Sequence, residues 1–428
     1  MFATIRNAWK ITELRKKLIF TLFILLIFRL GSAIPVPYVD VKALANYFNS
    51  ELSGTILGLY NAMSGSAFSQ ATLFALGIQP YINSSIIIQL LTIAIPYLER
   101  LSKEGGEEGK QKIQRISRYT TLALALLMGW AYFMMLRNNG GSMLTETGFL
   151  AAIVIILSFT GGACLVMWLG EQIDKDGIGN GISMILFAGI ISRIPMQAGS
   201  LVNLFASARW YLGILLVVGV AILVLVIVFI TNSERRIPVQ YAKRVVGRKM
   251  YGGQSSHLPI KVNMSGVLPV IFAQSIASLP ATVMAFTGTP EGGFWGFMNK
   301  WFFSSESVVY IVVYFLLIIA FSYFYSSIQF NPIEIANNMK KNGGFIPGFR
   351  PGKPTSDFIA KVINKITLFG AIYLAFVALV PVIIGAVIKD NTLAIGGTSV
   401  IIVVGVALEV VKSLEAQMLM RHYKGFLE

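Results

Sequence analysis

Ten long apolar stretches, separated by gaps alternately rich and poor in Lys and Arg, constrain this 428-residue chain more tightly than any motif within it. They cover residues 18–34, 76–97, 119–136, 149–169, 182–198, 210–230, 264–286, 308–330, 366–388 and 396–414, and most approach the ~20 residues a helix needs to cross a bilayer. The fifth has the shortest apolar run, interrupted by Arg193 and Pro195. Charge decides in its favour. With all ten taken as spans, 28 of the 35 basic residues fall in every second loop and at the two chain ends, counting Lys412 at the cytoplasmic end of the tenth span. Only Lys42, Arg137, Arg209, Lys300 and Lys389 fall in the other loops, with Arg193 toward the external end of the fifth span, and Arg29 lies inside the first span. Such a bias marks the basic side as cytoplasmic, so both ends are expected there; omitting the fifth span scrambles the pattern.

With 55% hydrophobic and only 13% charged residues, the chain has no stretch resembling a soluble domain, and its longest gaps are too short for a catalytic one. The first span runs into the turn Pro35-Val36-Pro37 instead of a small-residue cleavage site, which reads as a retained helix. Cys164 is the one cysteine, so an intrachain disulfide is excluded; mid-helix, it is expected to be a buried small apolar residue.

Two cytoplasmic loops, 231–263 and 331–365, hold 13 basic residues against three acidic ones, interleaved with Gly, Pro and Tyr. Attraction to anionic lipid headgroups accounts for part of this charge. Its concentration also suits docking of a large anionic or acidic partner, such as ribosomal RNA or a motor protein, and charge alone leaves both readings open.

Ten spans divide into halves of five, 1–205 and 206–428. An odd number per half inserts the second half upside down relative to the first, as in inverted-repeat transporters and channels. The loop between spans one and two contains the apolar, Gly-broken run 56–68. It is too short to span and too apolar for a solvated loop. Two arrangements fit: a re-entrant segment, which requires a cavity around it, or an interfacial helix lying flat. Polar residues seed two helices in particular, Asn83, Ser84, Ser85 and Gln89 in the second and Ser265, Gln274, Ser275 and Ser278 in the seventh. Interhelical hydrogen bonds explain any one of them; their concentration points to a seam facing something polar.

Paired charges or carboxylates at the midplane, the usual mark of ion- or proton-coupled transport, are missing from the spans: Arg29 lies near the external end of its helix, where it is expected to snorkel to headgroups, and Glu409 near the cytoplasmic end of the last. The two histidines, His257 and His422, fall in cytoplasmic segments, so an intramembrane Ser–His pair or a His-ligated metal cannot be built. His257 is expected to anchor its loop by a hydrogen bond. The run GIGNGIS at 177–183 lacks the Lys and preceding strand of a phosphate loop and reads as a turn entering span five. Neither an enzyme nor a cofactor is expected. What remains is an inert bundle whose aliphatic side chains can gate a pore by excluding water, with a small-solute secondary transporter as the alternative.

Several strings carry a resemblance that covers essentially the whole chain: FRLGSAIPVP at 28–37, FALGIQPYINSSIIIQLL at 74–91, MWLGEQIDKDGIGNGIS at 167–183, QSSHLPIKVN at 254–263, FNPIEIANNMKKNGGFIPGFRPG at 330–352 and GGTSVIIVVGVALE at 396–409. The sequence resembles the SecY family, the central subunit of the bacterial protein-conducting channel. The resemblance implies an all-α membrane fold of ten helices, in two inverted five-helix halves around an hourglass pore closed midway by an aliphatic ring. By motif the ring is Ile78, Ile82, Leu186, Ile271, Ser275 and Ile402, with Leu186 standing where many members have Ile. A short re-entrant plug is implied at 56–70, including Ile56, Leu57, Leu59, Tyr60, Met63 and Phe68. A lateral gate between helices two and seven is implied along Asn83, Ile87, Leu279 and Val283. The basic loops become a docking surface, Arg236, Lys243, Arg244, Arg248 and Lys249 in the first and Arg350 in the second. The loop after the GRK of the first is compact, which leaves its exact contacts less defined. Implied partners are SecE-type and SecG-type small membrane subunits, a SecA-type motor ATPase, the ribosome, signal sequences and unfolded secretory chains, and anionic lipids, in a bacterial plasma membrane.

Overall fold

A computed structural model describes residues 2–48, 61, 63–103, 105–138, 143–206, 210–241, 244–246, 249–251, 255–264, 266–287, 307–388 and 391–424. Each of the ten apolar stretches falls on helix. In chain order the helices are α1 (Phe2–Lys10), α2 (Thr12–Gly31), α3 (Val41–Tyr47), α4 (Gln79–Ala94), α5 (Pro96–Lys103), α6 (Gly106–Asn138), α7 (Phe149–Asp176), α8 (Gly181–Ile191), α9 (Ile194–Ala206), α10 (Trp210–Asn232), α11 (Leu268–Thr287), α12 (Val308–Gln329), α13 (Pro332–Lys341), α14 (Lys353–Ile388) and α15 (Asn391–Lys424). Among the described residues six helical segments are long and apolar enough to cross a membrane, and a seventh if α4 and α5, bent by 105° at Ile95, count as one span. Pro96 at the bend supplies no backbone donor and disfavours helical geometry at Ile95, which is extended at φ −107° and ψ 112°. The doubtful fifth stretch is an apolar helical segment, Gly181–Gly199, with a short break between α8 and α9 at Ser192 and Arg193.

The principal helix contacts close a circuit: α4 packs on α6, α6 on α7, α7 on α8, α8 on α15, α15 on α14, α14 on α12, α12 on α11, and α11 back on α4 and α6. The largest core cluster joins these helices with α2 and α10 and draws on both ends of the chain, from Ile24 to Val406. The outer flank is apolar as well: Leu215, Leu225 and Phe229 of α10 are mostly exposed, as lipid-facing side chains are in a helix hydrophobic all round.

The expectation of an all-α fold is corrected in the basic loops. Loop 231–263 forms β1 (Glu234–Tyr241), β2 (Arg244–Val246), β3 (Lys249–Tyr251) and β4 (Ser255–Lys261), and the second loop adds β5 (Gly344–Phe345). β1 is the centre of a three-stranded antiparallel sheet, with Ile237 opposite Leu258 and Gln240 opposite Phe345. Period-two burial explains it: Ile237 and Val239 point into a small core with Ile260, Ala336, Met339, Ile346, Ile359 and Ile363, while Arg236, Pro238 and Gln240 face outward. The two loops are therefore one folded platform seated on the start of α14.

Candidate functional site

The six ring candidates are all buried. Ile78, Ile82, Leu186, Ile271 and Ile402 share the main core cluster at 3%, 1%, 2%, 1% and 1% exposure, and Ser275 beside them is 2% exposed. Local sequence sets their positions. Asn180 caps α8 by accepting from the Ser183 amide, and the Asp174 carboxylate accepts from the Gly181 amide at 2.7 Å. The GIGNGIS run is therefore the turn it was read to be, with Gly179 at φ +80°, and the cap points Leu186 inward one turn later. Gly181 is required by close approach: a Cβ there would lie 1.9 Å from the Gly170 carbonyl oxygen.

Of the six plug candidates, Ile56, Leu57, Leu59 and Tyr60 lie outside the described residues, and the other two go to different places. Met63, 5% exposed, enters the central cluster. Phe68 belongs to a second cluster, edge-on to Tyr132 with centroids 4.6 Å apart and to Phe48 at 5.4 Å. The Tyr132 hydroxyl, in a fully buried residue, donates to the Phe68 carbonyl at 2.6 Å. Backbone ties bring the same segment back along the chain entering from α2: the Val36 amide donates to the Ala71 carbonyl at 2.9 Å and the Leu73 amide to the Ile34 carbonyl at 2.8 Å. Residues 63–78 are thus folded against the bundle, with Met63 in its core. Arg29 does more than snorkel; its Nη1 donates to the Gly65 carbonyl at 3.3 Å.

The polar seeds separate into two groups. Ser84 donates to the Ser117 carbonyl at 2.7 Å, which is ordinary packing of α4 on α6. Across the α4–α11 contact, Ser275 Oγ donates to Gln79 Oε1 at 3.5 Å, and the amide nitrogens of Gln79 and Gln274 both point to Met63 Sδ, at 3.5 and 3.3 Å. Among the gate candidates, Asn83 is buried and Ile87 is 38% exposed on α4; Leu279 and Val283 lie on α11. Gln79 was missed by sequence reasoning, although a glutamine preceding Pro80 between two ring isoleucines was the available signal. Tyr132 carried none beyond an aromatic in an apolar helix, and neither did Gly189, where a Cβ would lie 2.3 Å from the Met63 carbonyl oxygen.

On the platform, Arg236 is exposed in β1 and its Nε donates to Glu234 Oε1 at 2.7 Å. Arg244 and Lys249 lie in β2 and β3, and Lys243 and Arg248 lie outside the described residues. Arg350 is exposed on a turn flanked by Gly348 at φ +88° and Gly352 at φ +104°, a left-handed geometry open to glycine. The Thr355 hydroxyl fixes the turn by donating to the Arg350 carbonyl at 2.8 Å. His257, expected to anchor its loop, is exposed in β4, opposite Pro238. Cys164, expected to be buried, is partly exposed on α7.

Apolar helices packed in a circuit on a buried aliphatic cluster, with the segment 63–78 folded against them and a basic platform on two of the loops, define a multi-pass membrane protein. The chain belongs to the SecY family, whose profile it matches over residues 72–411. It is 44% identical, over the full length of both chains, to the protein translocase subunit SecY of Streptomyces galbus. Two solved structures share the fold. One, described as showing that the SecY plug domain stabilises the closed state of the translocation channel and maintains a membrane seal, superposes with a TM-score of 0.65 at 19% identity and covers 94% of this chain and 92% of its own. The other, Sec61 in the canine ribosome–channel complex from the endoplasmic reticulum, gives 0.63 at 17% identity with the same coverage.

Proposed function

We propose that this chain is the pore-forming subunit of a protein translocase, a passive gated channel for unfolded secretory polypeptides. Its seam between α4 and α11 releases signal sequences and membrane segments sideways into lipid. The observation that carries the reading is the convergence of ring residues from four separate segments of sequence into one desolvated cluster. Aliphatic side chains at a constriction repel water and ions without binding them, and they reshape around any polypeptide because they make no directional bonds. The seam follows from partitioning: a sufficiently apolar segment in the channel is more stable in hydrocarbon, so hydrophobicity decides whether it leaves.

In this reading the ring is Ile78, Ile82, Leu186, Ile271, Ser275 and Ile402, the plug is 56–70, and Asn83, Ile87, Leu279 and Val283 line the gate. The halves 1–205 and 206–428 move against each other. The basic platform docks a ribosome or a SecA-type motor, with Arg350 at its tip, and SecE-type and SecG-type subunits cover part of the apolar outer flank. Energy comes from those partners. Both chain ends lie in the cytoplasm of a bacterial cell, as the charge bias requires.

The test is a rest-state conductance measurement on the reconstituted translocase. Replacing Ile82, Ile271 and Ile402 together with Gly is expected to leave precursor export active while the resting membrane leaks ions. A triple variant as ion-tight as the parent contradicts a seal at these residues.

A further inference from the structure

Glu409 and Lys412 stand one turn apart on α15, and neither belongs to the ring. They face the two roots by which the basic platform joins the bundle, the end of α10 leading into β1 and the end of β4 leading toward α11. At the first root Lys412 Nζ donates to the Thr231 carbonyl at 3.1 Å, and the Tyr373 hydroxyl of α14 shares a hydrogen bond with the Thr231 side chain. At the second, Lys261 lies within electrostatic reach of the Glu409 carboxylate. The roots are joined to each other: Glu234 pairs with Lys261 across the sheet, and the Val262 amide donates to the Ser233 carbonyl at 2.9 Å. They also press on α14, since a Cβ at Gly370 would lie 2.7 Å from the Val262 carbonyl oxygen. From Lys412, α15 runs unbroken back to Ile402, about 15 Å along the helix axis. Gly405 between them lies against the entry to α11, where a Cβ would be 3.1 Å from Val267 Cγ2.

We infer that Lys412 is a positioning residue which, steered by Glu409, clamps the platform to α15, so that the load of a docked motor reaches the constriction through this helix. The inference rests on the proposed function and deepens it by naming the route from docking surface to pore. The last carbonyls of α10 have no partner within their own helix, and water or a hydroxyl would satisfy the one at Thr231. A lysine from a neighbouring helix does more: it ties two elements by a charge-assisted bond and complements the helix dipole. Its setting is costly, because the charge of Lys261 acts against it and is offset by Glu234 and Glu415. Glu409 is exposed, so its attraction for Lys261 is weak and orients the second root without fixing it. A helix carries displacement as a rigid element. Movement of the platform therefore shifts Ile402 on α15 and, through the Gly405–Val267 contact, Ile271 on α11, two residues of the proposed ring.

The experiment measures export by the complete translocase in proteoliposomes as motor concentration is raised. Lys412→Met keeps the apolar stem and removes the donor. It is expected to lower the maximal export rate about tenfold, the scale of one hydrogen bond to a charged group, with the half-saturating motor concentration and the thermal midpoint unchanged. Lys412→Arg keeps a cation at the carbonyl and is expected to retain most of the rate. With Cys164 replaced, spin labels on cysteines at the exposed positions 257 in β4 and 419 on α15 report the clamp itself: one narrow distance in the parent and a broad one in Lys412→Met. Parent-like maximal export in Lys412→Met overturns the clamp, as does an unbroadened distance. A rate loss that additional motor restores overturns it too, since Lys412 then belongs to the docking surface. So does an arginine variant as impaired as the methionine one, because charge is then not the cause. Arg350→Glu in the same assay separates the two levels. If it raises the half-saturating motor concentration while Lys412→Met matches the parent, only the clamp falls; if it leaves that concentration unchanged, the docking reading falls.

Discussion

Two single residues carry sharp expectations. Arg350 is exposed on a turn whose backbone is fixed by Thr355 and flanked by two left-handed glycines. Arg350→Glu is expected to lower motor-driven export about tenfold or more, the scale of inverting a charge at a docking contact, with the thermal midpoint of the protein unchanged. Unimpaired export removes Arg350 from the docking surface. Tyr132 makes the opposite case: fully buried, its hydroxyl bonds the Phe68 carbonyl. Tyr132→Phe leaves that carbonyl without its donor and is expected to cost about 1–3 kcal/mol, seen as a lower thermal midpoint in detergent with export retained. Arg350 was legible in the sequence because charge and Gly/Pro punctuation mark a tip. Tyr132 was not, because a tyrosine in an apolar helix looks the same whether its hydroxyl meets lipid, water or a carbonyl 64 positions away in sequence.

Among the elements, the apolar parts of the long helices were readable, since apolar length is set by the bilayer, but their polar extensions were not: α6 begins at Gly106 and α14 at Lys353, well before the stretches starting at 119 and 366, and α15 runs on to Lys424, past the stretch ending at 414. Nor was the sheet. Its strands are short, rich in Arg and Lys, and buried on one face only, so composition marks them as loop; the alternation of Arg236, Ile237, Pro238 and Val239 was the signal, and its partner strand β5 comes from the other basic loop, more than 100 residues on. The bend between α4 and α5 was likewise hidden in a run read as one span, although Pro96 stood in it. Close approach of elements gives a further expectation. Gly189 of α8 lies against the Met63 backbone so tightly that a Cβ would meet its carbonyl oxygen at 2.3 Å. Gly189→Ala is expected to displace the segment 63–68, cost about 1–3 kcal/mol as overpacking does, and raise resting ion leak. A tight channel with an unchanged thermal midpoint contradicts this placement of the segment.

For the molecule as a whole, the positive-inside bias and the count of stretches predict a topology, and the packed structure adds what neither could, the gathering of Ile82, Ile271 and Ile402 in one cluster. Nothing local in sequence distinguishes these isoleucines from the many that face neighbouring helices or lipid; they were reached through resemblance. The claim that a polypeptide passes between them is tested most directly by trapping one there. With Cys164 replaced and single cysteines placed at 82, 271 and 402, a secretory chain stalled in the active translocase is crosslinked site-specifically. The account predicts adducts from all three positions to one short stretch of the stalled chain. Absence of adducts at all three, with the protein folded and its partners active, contradicts a central polypeptide pore.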